Sequence, residues 1–322
     1  MHKLLVVAVV VLLLAISTAG FCQINLVGLY ADSATARWMG MGCTGIAAAN
    51  DEGALDFNPA NLATMKLGKK CDPSATDWEG SLTWGDGSFN ELSEKIGVVR
   101  PCDNWGAAVS YEHASGSAGA IPLSAAISPA AEYESGWTDN IFQAGYGHKI
   151  SGTGLSVGAS VLSWSGNLGE IVGDGVAPAD DGRSFSGDTL TNLGVLYEFP
   201  MHNLPPLRVG AVWQNIFSQI AFTHTEVSPF DAGIAIPVCP GLTLAADALD
   251  VTKTYAPADS VGAEYCMKDG LSLRAGDYVG NFTAGAGYRK DNWRLDVAYD
   301  RDVDNYFSDN AAQWTVTGSV RF

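Results

Sequence analysis

Apolar and polar residues alternate one for one along the end of this chain. Phe282, Ala284, Ala286 and Tyr288 interleave with Thr283, Gly285, Gly287 and Arg289. Trp293, Leu295, Val297 and Tyr299 interleave with Arg294, Asp296, Ala298 and Asp300. Trp314, Val316, Gly318, Val320 and Phe322 interleave with Gln313, Thr315, Thr317, Ser319 and Arg321. A period of two sends successive side chains to opposite faces of an extended strand, so each strand has one apolar and one polar face. A soluble sandwich and a membrane barrel both satisfy that pattern. The aromatic residues separate them: Trp105 and Tyr111, Trp293 and Tyr299, and Trp314 and Phe322 sit near strand ends, where a barrel carries its interfacial girdles.

The same template predicts fourteen strands, near 77–85, 95–100, 104–114, 140–150, 154–167, 189–200, 207–216, 228–238, 242–252, 259–268, 271–279, 281–290, 293–302 and 311–322. Bacterial barrels have an even strand number. Loop lengths sort by parity. Short turns such as Pro101-Cys102-Asp103, Ser151-Gly152-Thr153 and Lys290-Asp291-Asn292 follow even strands, whereas the long stretches 115–139, 168–188 and 217–227 follow odd ones. One rim of short turns and one of long loops is the expected asymmetry of a membrane barrel, and a sandwich has no reason to show it. The expected fold is an all-β, antiparallel transmembrane barrel over 77–322.

Charge narrows the partners. The chain has 35 acidic against 18 basic residues, a net charge of −17, which argues against nucleic acid. At 47% apolar residues it is too hydrophobic for a disordered chain. Met1-His2-Lys3, the apolar run from Leu4 to Ile16 and Ser17-Thr18-Ala19 read as a signal peptide over 1–19, too short to span a bilayer. Export with cleavage after Ala19 is expected; lipidation at Cys22 is the lesser alternative, because Phe21 suits a lipobox poorly.

Residues 20–76 do not alternate. They contain Gly40-Met41-Gly42, Asn50-Asp51-Glu52-Gly53-Ala54 and Asn58-Pro59-Ala60. The glycines lack the strand–loop–helix setting and the Gly-Lys-Ser/Thr of a phosphate loop. This stretch resembles the N-terminal region of the FadL-like outer-membrane transport superfamily and its PorV/PorQ-type relatives. The resemblance rests on Arg37, Gly40, Met41, Gly42, Ala47, Ala49, Asp51, Ala54, Asn58, Pro59, Ala60, Leu62 and Ala63, with departures at Cys43, Asn50 and Asn61. It is closest in feel to the PorV-type group, which Pro206-Leu207-Arg208-Val209-Gly210 and Leu271-Ser272-Leu273-Arg274-Ala275-Gly276 also resemble. It implies that 20–76 form a hatch inside a fourteen-stranded barrel in the bacterial outer membrane. It further implies passage or binding of hydrophobic small molecules, long-chain fatty acid-like, or alternatively a component that binds partners in protein secretion or surface attachment. Outer-membrane lipid and, during biogenesis, the barrel assembly machinery are the remaining expected partners, with Phe322 closing the strand that serves as assembly signal.

No enzyme, cofactor or metal reading survives. The histidines have no metal spacing, Asp180-Asp181-Gly182 and Asp300-Arg301-Asp302-Val303-Asp304 lack the later ligands of a calcium loop, and no nucleophile context stands out. Glu112, Asp247, Glu264, Arg274, Arg294, Asp296, Asp300 and Arg321 fall on the polar phase of their strands. They either line a permeation path or pair across the lumen and tie the hatch to the wall; the mixture of signs favours pairing. Cys71, Cys102, Cys239 and Cys266 fall on the short-turn rim, in a compartment where disulfides persist. Four free thiols are one outcome; Cys71–Cys102, or a strained Cys239–Cys266, are the others.

Overall fold

The strands at the end of this chain bury their polar face and expose their apolar one. In 293–301, Arg294, Asp296 and Asp300 are buried while Trp293 and Leu295 are 40% and 45% exposed. In 312–321, Gln313, Thr315, Thr317 and Ser319 are buried between exposed Trp314 and Val320. Water would not support that arrangement, because the outward face shows a continuous apolar band; surrounding hydrocarbon would. The computed structural model describes residues 34–65, 78–87, 91–118, 135–168, 183–216, 229–252, 258–301 and 312–322. The expected signal peptide, Cys22 and Cys71 lie outside them.

The strands are β1 (Glu79–Gly87), β2 (Glu91–Pro101), β3 (Trp105–Ala118), β4 (Ser135–Lys149), β5 (Leu155–Leu168), β6 (Arg183–Phe199), β7 (Leu207–Trp213), β8 (Phe230–Cys239), β9 (Leu242–Leu249), β10 (Ala258–Cys266), β11 (Leu271–Tyr278), β12 (Asn281–Lys290), β13 (Trp293–Arg301) and β14 (Ala312–Arg321). Every strand pairs antiparallel with its sequence neighbours, and β1 pairs with β14 to close a fourteen-stranded barrel. Closure leaves no unpaired edge, which a hydrocarbon surrounding demands. All fourteen expected strands are present, in the expected order.

Several boundaries differ. β3 runs on to Ala118, β4 begins at Ser135 and β6 at Arg183, so the expected loops 115–139 and 168–188 shrink to 119–134 and 169–182. The extensions are rich in Ser and Gly, which dilute the alternation, yet Ser115 faces Thr138 and Ser184 faces Asn167 in register. Aromatic pairs mark the rims. Tyr288–Trp293 (5.7 Å) and Trp105–Tyr146 (5.9 Å) lie towards the short turns, and Tyr299–Trp314 (5.1 Å) lies towards the long loops.

Residues 34–65 lie within this wall. They form two single-turn helices, α1 (Ala36–Met39) and α2 (Ala54–Phe57), and a 3₁₀ helix, Pro59–Thr64. Asn58 starts the last of these: its side-chain oxygen accepts from the Ala60 amide at 3.0 Å, and Pro59 needs no partner at the first position. The segment touches β2 through Lys95, β7 through Arg208, β10 through Glu264, β12 through Thr283 and β14 through Thr317. A segment in contact with walls all around a closed cylinder is inside it.

If the wall faces hydrocarbon, the purified chain should need detergent, give a β-dominated circular dichroism spectrum and migrate faster on gels before heating than after. A chain that stays monodisperse in buffer without detergent would refute the membrane-facing assignment.

Candidate functional site

The lumen is built by backbone lying on backbone. A Cβ added to wall residues Gly106, Gly158, Gly194, Gly210 or Gly262 would come within 2.0–2.5 Å of Leu62 O, Ala60 N, Asn58 Oδ1, Ile46 O and Met41 O, respectively. From the segment's side, Gly42 adopts φ +65° and its amide donates to Thr283 Oγ1 at 2.9 Å, while Gly40 lies against Gly285. Any side chain at these points would push the segment off the wall. The expected hatch motif residues Gly40, Met41, Gly42, Asn58, Pro59 and Ala60 are all buried at this contact.

Asn58 is the polar centre of the seat. Its amide nitrogen donates to Ile46 O (2.9 Å) and Val195 O (3.0 Å), so it joins two parts of the segment to β6. Asn61 donates to Gly45 O (3.0 Å) and Ile46 O (3.1 Å). Each buried carbonyl left without its donor costs about 1–3 kcal/mol. Replacement of Asn58 by Leu should therefore loosen the segment and raise permeability to small polar solutes, read as antibiotic sensitivity of cells carrying the inserted barrel. Sensitivity equal to wild type would remove Asn58 from this role.

Six charges form a closed ring of alternating sign. Arg37 pairs with Glu264 (2.7 Å), Glu264 with Arg274 (2.8 Å) and Arg274 with Asp296 (2.9 Å). Asp296 pairs with Arg294 (2.6 Å), Arg294 with Asp51 (3.1 Å), and Asp51 returns to Arg37 (3.2 Å). Each charge has two partners of opposite sign, which compensates the cost of burying it. Arg37 and Asp51 come from the segment, the other four from β10, β11 and β13, so the ring joins segment to wall. Trp38 Nε1 adds a 2.6 Å bond to Asp51.

Elsewhere Lys95 of β2 pairs with Asp56 (2.6 Å), Gln143 of β4 donates to Leu55 O (2.6 Å), and Ile46 N donates to Asp247 (3.0 Å). Glu112 is buried opposite Lys95 in the β2–β3 register, and Asp300 is buried on β13. Arg321 pairs with Glu79 (2.9 Å) across the β1–β14 seam, which Phe322 extends through reciprocal backbone bonds with Trp78. Thus Glu264, Arg274, Arg294 and Asp296 converge, whereas Glu112, Asp247, Asp300 and Arg321 lie apart from that ring. Arg37, Asp51 and Arg208 stand in the sequence only as motif positions, and Lys95 belongs to no motif. The inward phase of Ser93, Lys95 and Gly97 could have revealed the lysine.

The cysteine expectations need correction. Cys239 and Cys266 are free. Cys239 faces Leu242 in the β8–β9 register and Leu242 faces Tyr265 of β10, so a whole strand stands between the thiols. Two strand spacings make ~10 Å, beyond the ~7 Å a disulfide tolerates. Cys102 is disulfide-bonded, and its partner lies outside the described residues.

Glu52 stands next to the ring without belonging to it. Burial and the neighbouring Asp51 charge push its carboxyl up to about 7, against the pull of Arg294 and from an ordinary value of 4.5. Between those values the folded chain holds a proton that the unfolded chain has lost, so this group's contribution to stability falls as pH rises through the window. Glu52→Gln should consequently be more stable than wild type at pH 8, with the gain gone by pH 4. Thermal unfolding followed by gel shift at both pH values measures it; a pH-independent difference would contradict the burial argument.

Below the segment, towards the short turns, lies a cavity of about 530 Å³. Pro205, Pro206, Pro237 and Met267 supply apolar lining, and Arg208, Arg289 and Arg321 are among six arginines there. Arg208 reaches back to the segment at Ala48 O (3.2 Å) and Asn61 Oδ1 (3.1 Å).

These features define a fourteen-stranded antiparallel barrel of FadL-like fold with a filled lumen. The Pseudomonas putida toluene transporter TodX matches it at 14% identity over 90% of this chain and 99% of that one, with a TM-score of 0.62. A Pseudomonas aeruginosa FadL homologue matches at 11% identity over 94% and 100%, with a TM-score of 0.57. A deletion mutant of TodX, described as a monoaromatic hydrocarbon channel, matches at 14% over 90% and 98%, with a TM-score of 0.59. At such identities the likeness is one of fold. No family model and no curated protein matches the chain. The PorV-type likeness finds no support in these matches.

Proposed function

We propose that this chain is a bacterial outer-membrane channel that binds and passes hydrophobic small molecules. The observation that carries this reading is the combination of an apolar outer wall with a lumen filled by residues 34–65. A barrel of this size with an empty lumen would admit water and small polar solutes. A barrel filled by a buried segment excludes them, and serves a molecule that water cannot carry. The fold shared with a toluene transporter and a FadL homologue supports the same reading. Whether the cargo is monoaromatic or long-chain and fatty acid-like, the segment acts as hatch: cargo passes when it shifts or when the wall beside it opens.

The fixation of the hatch is uneven. On the β10–β13 side it is held by charges, and on the β3–β6 side by glycine contacts and amide bonds such as Asn58 to Val195. Movement of the 3₁₀ helix away from β3–β6 breaks neutral bonds, worth about 0.5–1.5 kcal/mol each, and spares the charged ring; the Asp56–Lys95 pair on β2 is the charged contact that borders this side. That side is therefore where the path opens.

Cells that lack their own hydrocarbon uptake barrel provide the test. Expression of this chain should raise uptake of labelled toluene or oleate severalfold over an empty-vector control, with no rise in uptake of a small sugar. A correctly inserted barrel that leaves apolar uptake unchanged would overturn the proposal.

A further inference from the structure

We propose that the short-turn mouth of the barrel is an oxyanion-binding site, with Arg289 as the principal partner of a carboxylate or phosphate group. Arg289 lies directly opposite Arg294 in the β12–β13 register, and both arginines line the cavity. Like charges in opposite positions destabilise a sheet. Arg294 is neutralised within the six-charge ring by Asp51 and Asp296. Among the described residues, no carboxylate comes within ion-pair distance of Arg289. The nearby Arg321 is already paired with Glu79 at 2.9 Å.

The local balance points the same way. Among the side chains that line the cavity, six cations (Arg37, Arg208, Arg274, Arg289, Arg294 and Arg321) meet three acids (Glu198, Glu264 and Asp296); behind that lining Asp51 pairs with Arg37 and Arg294, and Glu79 with Arg321. Glu198 is shared between Lys149 and Arg208. A positive surplus here stands out in a chain whose net charge is −17. It collects in a cavity of about 530 Å³, within the ~300–1,000 Å³ of small-molecule sites. A guanidinium presents two parallel donors that match a carboxylate or a phosphate edge, and a bound oxyanion would relieve the Arg289–Arg294 repulsion. The backbone of Arg289 is fixed at the rim by its 2.9 Å bond to Gly270 O. Anion binding here does not depend on which molecule the barrel passes.

The test uses the full chain in a zwitterionic detergent at constant ionic strength, so that general screening stays equal across titrations. Calorimetric titration with inorganic phosphate, octanoate and octanol should show saturable binding of at least one anion. Arg289→Gln should weaken that binding at least tenfold, and Arg289→Lys should weaken it less. Phosphate binding would identify the site with free oxyanions; octanoate binding without phosphate would identify it with anions carrying an apolar tail. Octanol binding, if any, should not change in Arg289→Gln. Removal of an unpaired charge facing Arg294 should leave the barrel at least as heat-stable as wild type in anion-free buffer. The anion should then raise the unfolding temperature of wild type and not of the variant. Absence of saturable binding of both anions, or equal affinity in wild type and Arg289→Gln, would overturn the site. Loss of toluene uptake with anion binding intact would count against the channel reading alone.

Discussion

A closed wall of fourteen strands encloses more space than its own side chains can fill. Small barrels of about eight strands close over their interior residues, while barrels of sixteen or more keep an aqueous channel. This chain meets the intermediate case with a second piece of polypeptide, residues 34–65, buried against the wall. Its other features follow from that need. The glycines on the inward phase remove the side chains that would hold the segment away, and the buried polar residues supply its backbone with partners. The outward phase is left free to be apolar.

Two kinds of attachment share the task. Close backbone contact is short-ranged and sensitive to a single added carbon, and it fixes where the segment lies. Charge pairing reaches further and tolerates small displacement, and it fixes which part of the wall the segment keeps. The six-charge ring is neutral as a unit, with three arginines and three carboxylates. Pairing offsets part of the cost of burying six charges, and removal of any one member would leave its partners buried and uncompensated. The charge left over is therefore found beside the ring, as Glu52 on the segment and Arg289 at the mouth.

The wall was legible in the sequence because alternation is a local signal. Trp293 to Asp300 announces a two-faced strand without reference to any other part of the chain, and all fourteen strands follow from such runs. Where Ser and Gly replace the apolar phase, as at Ser115-Gly116-Ser117, the signal fades and strands run longer than the pattern suggests. The inward acids and bases were legible as a set, since phase alone places Glu264, Arg274, Arg294 and Asp296 indoors. Their grouping into a ring was not, because it depends on strand stagger and on Arg37, 227 positions away from Glu264. The Cys239–Cys266 expectation failed for a related reason. Sharing a rim brings residues to one height, but an intervening strand keeps them apart.

The seam between β1 and β14 has a consequence for how this protein comes into being. The segment that occupies the lumen precedes every strand, whereas the wall is not a wall until the final strand pairs with the first. The Ala36 amide meets Thr317 across 281 positions of sequence. Contacts of such separation must overcome the entropy of a very long loop, and they make folding slow. Occupant and enclosure cannot mature independently: the lining of β14 is complete only when α1 lies against it, and α1 rests on β12, β13 and β14 together. Biogenesis is thus a problem of timing, in which the chain must keep its earliest piece indoors until its latest piece shuts the door.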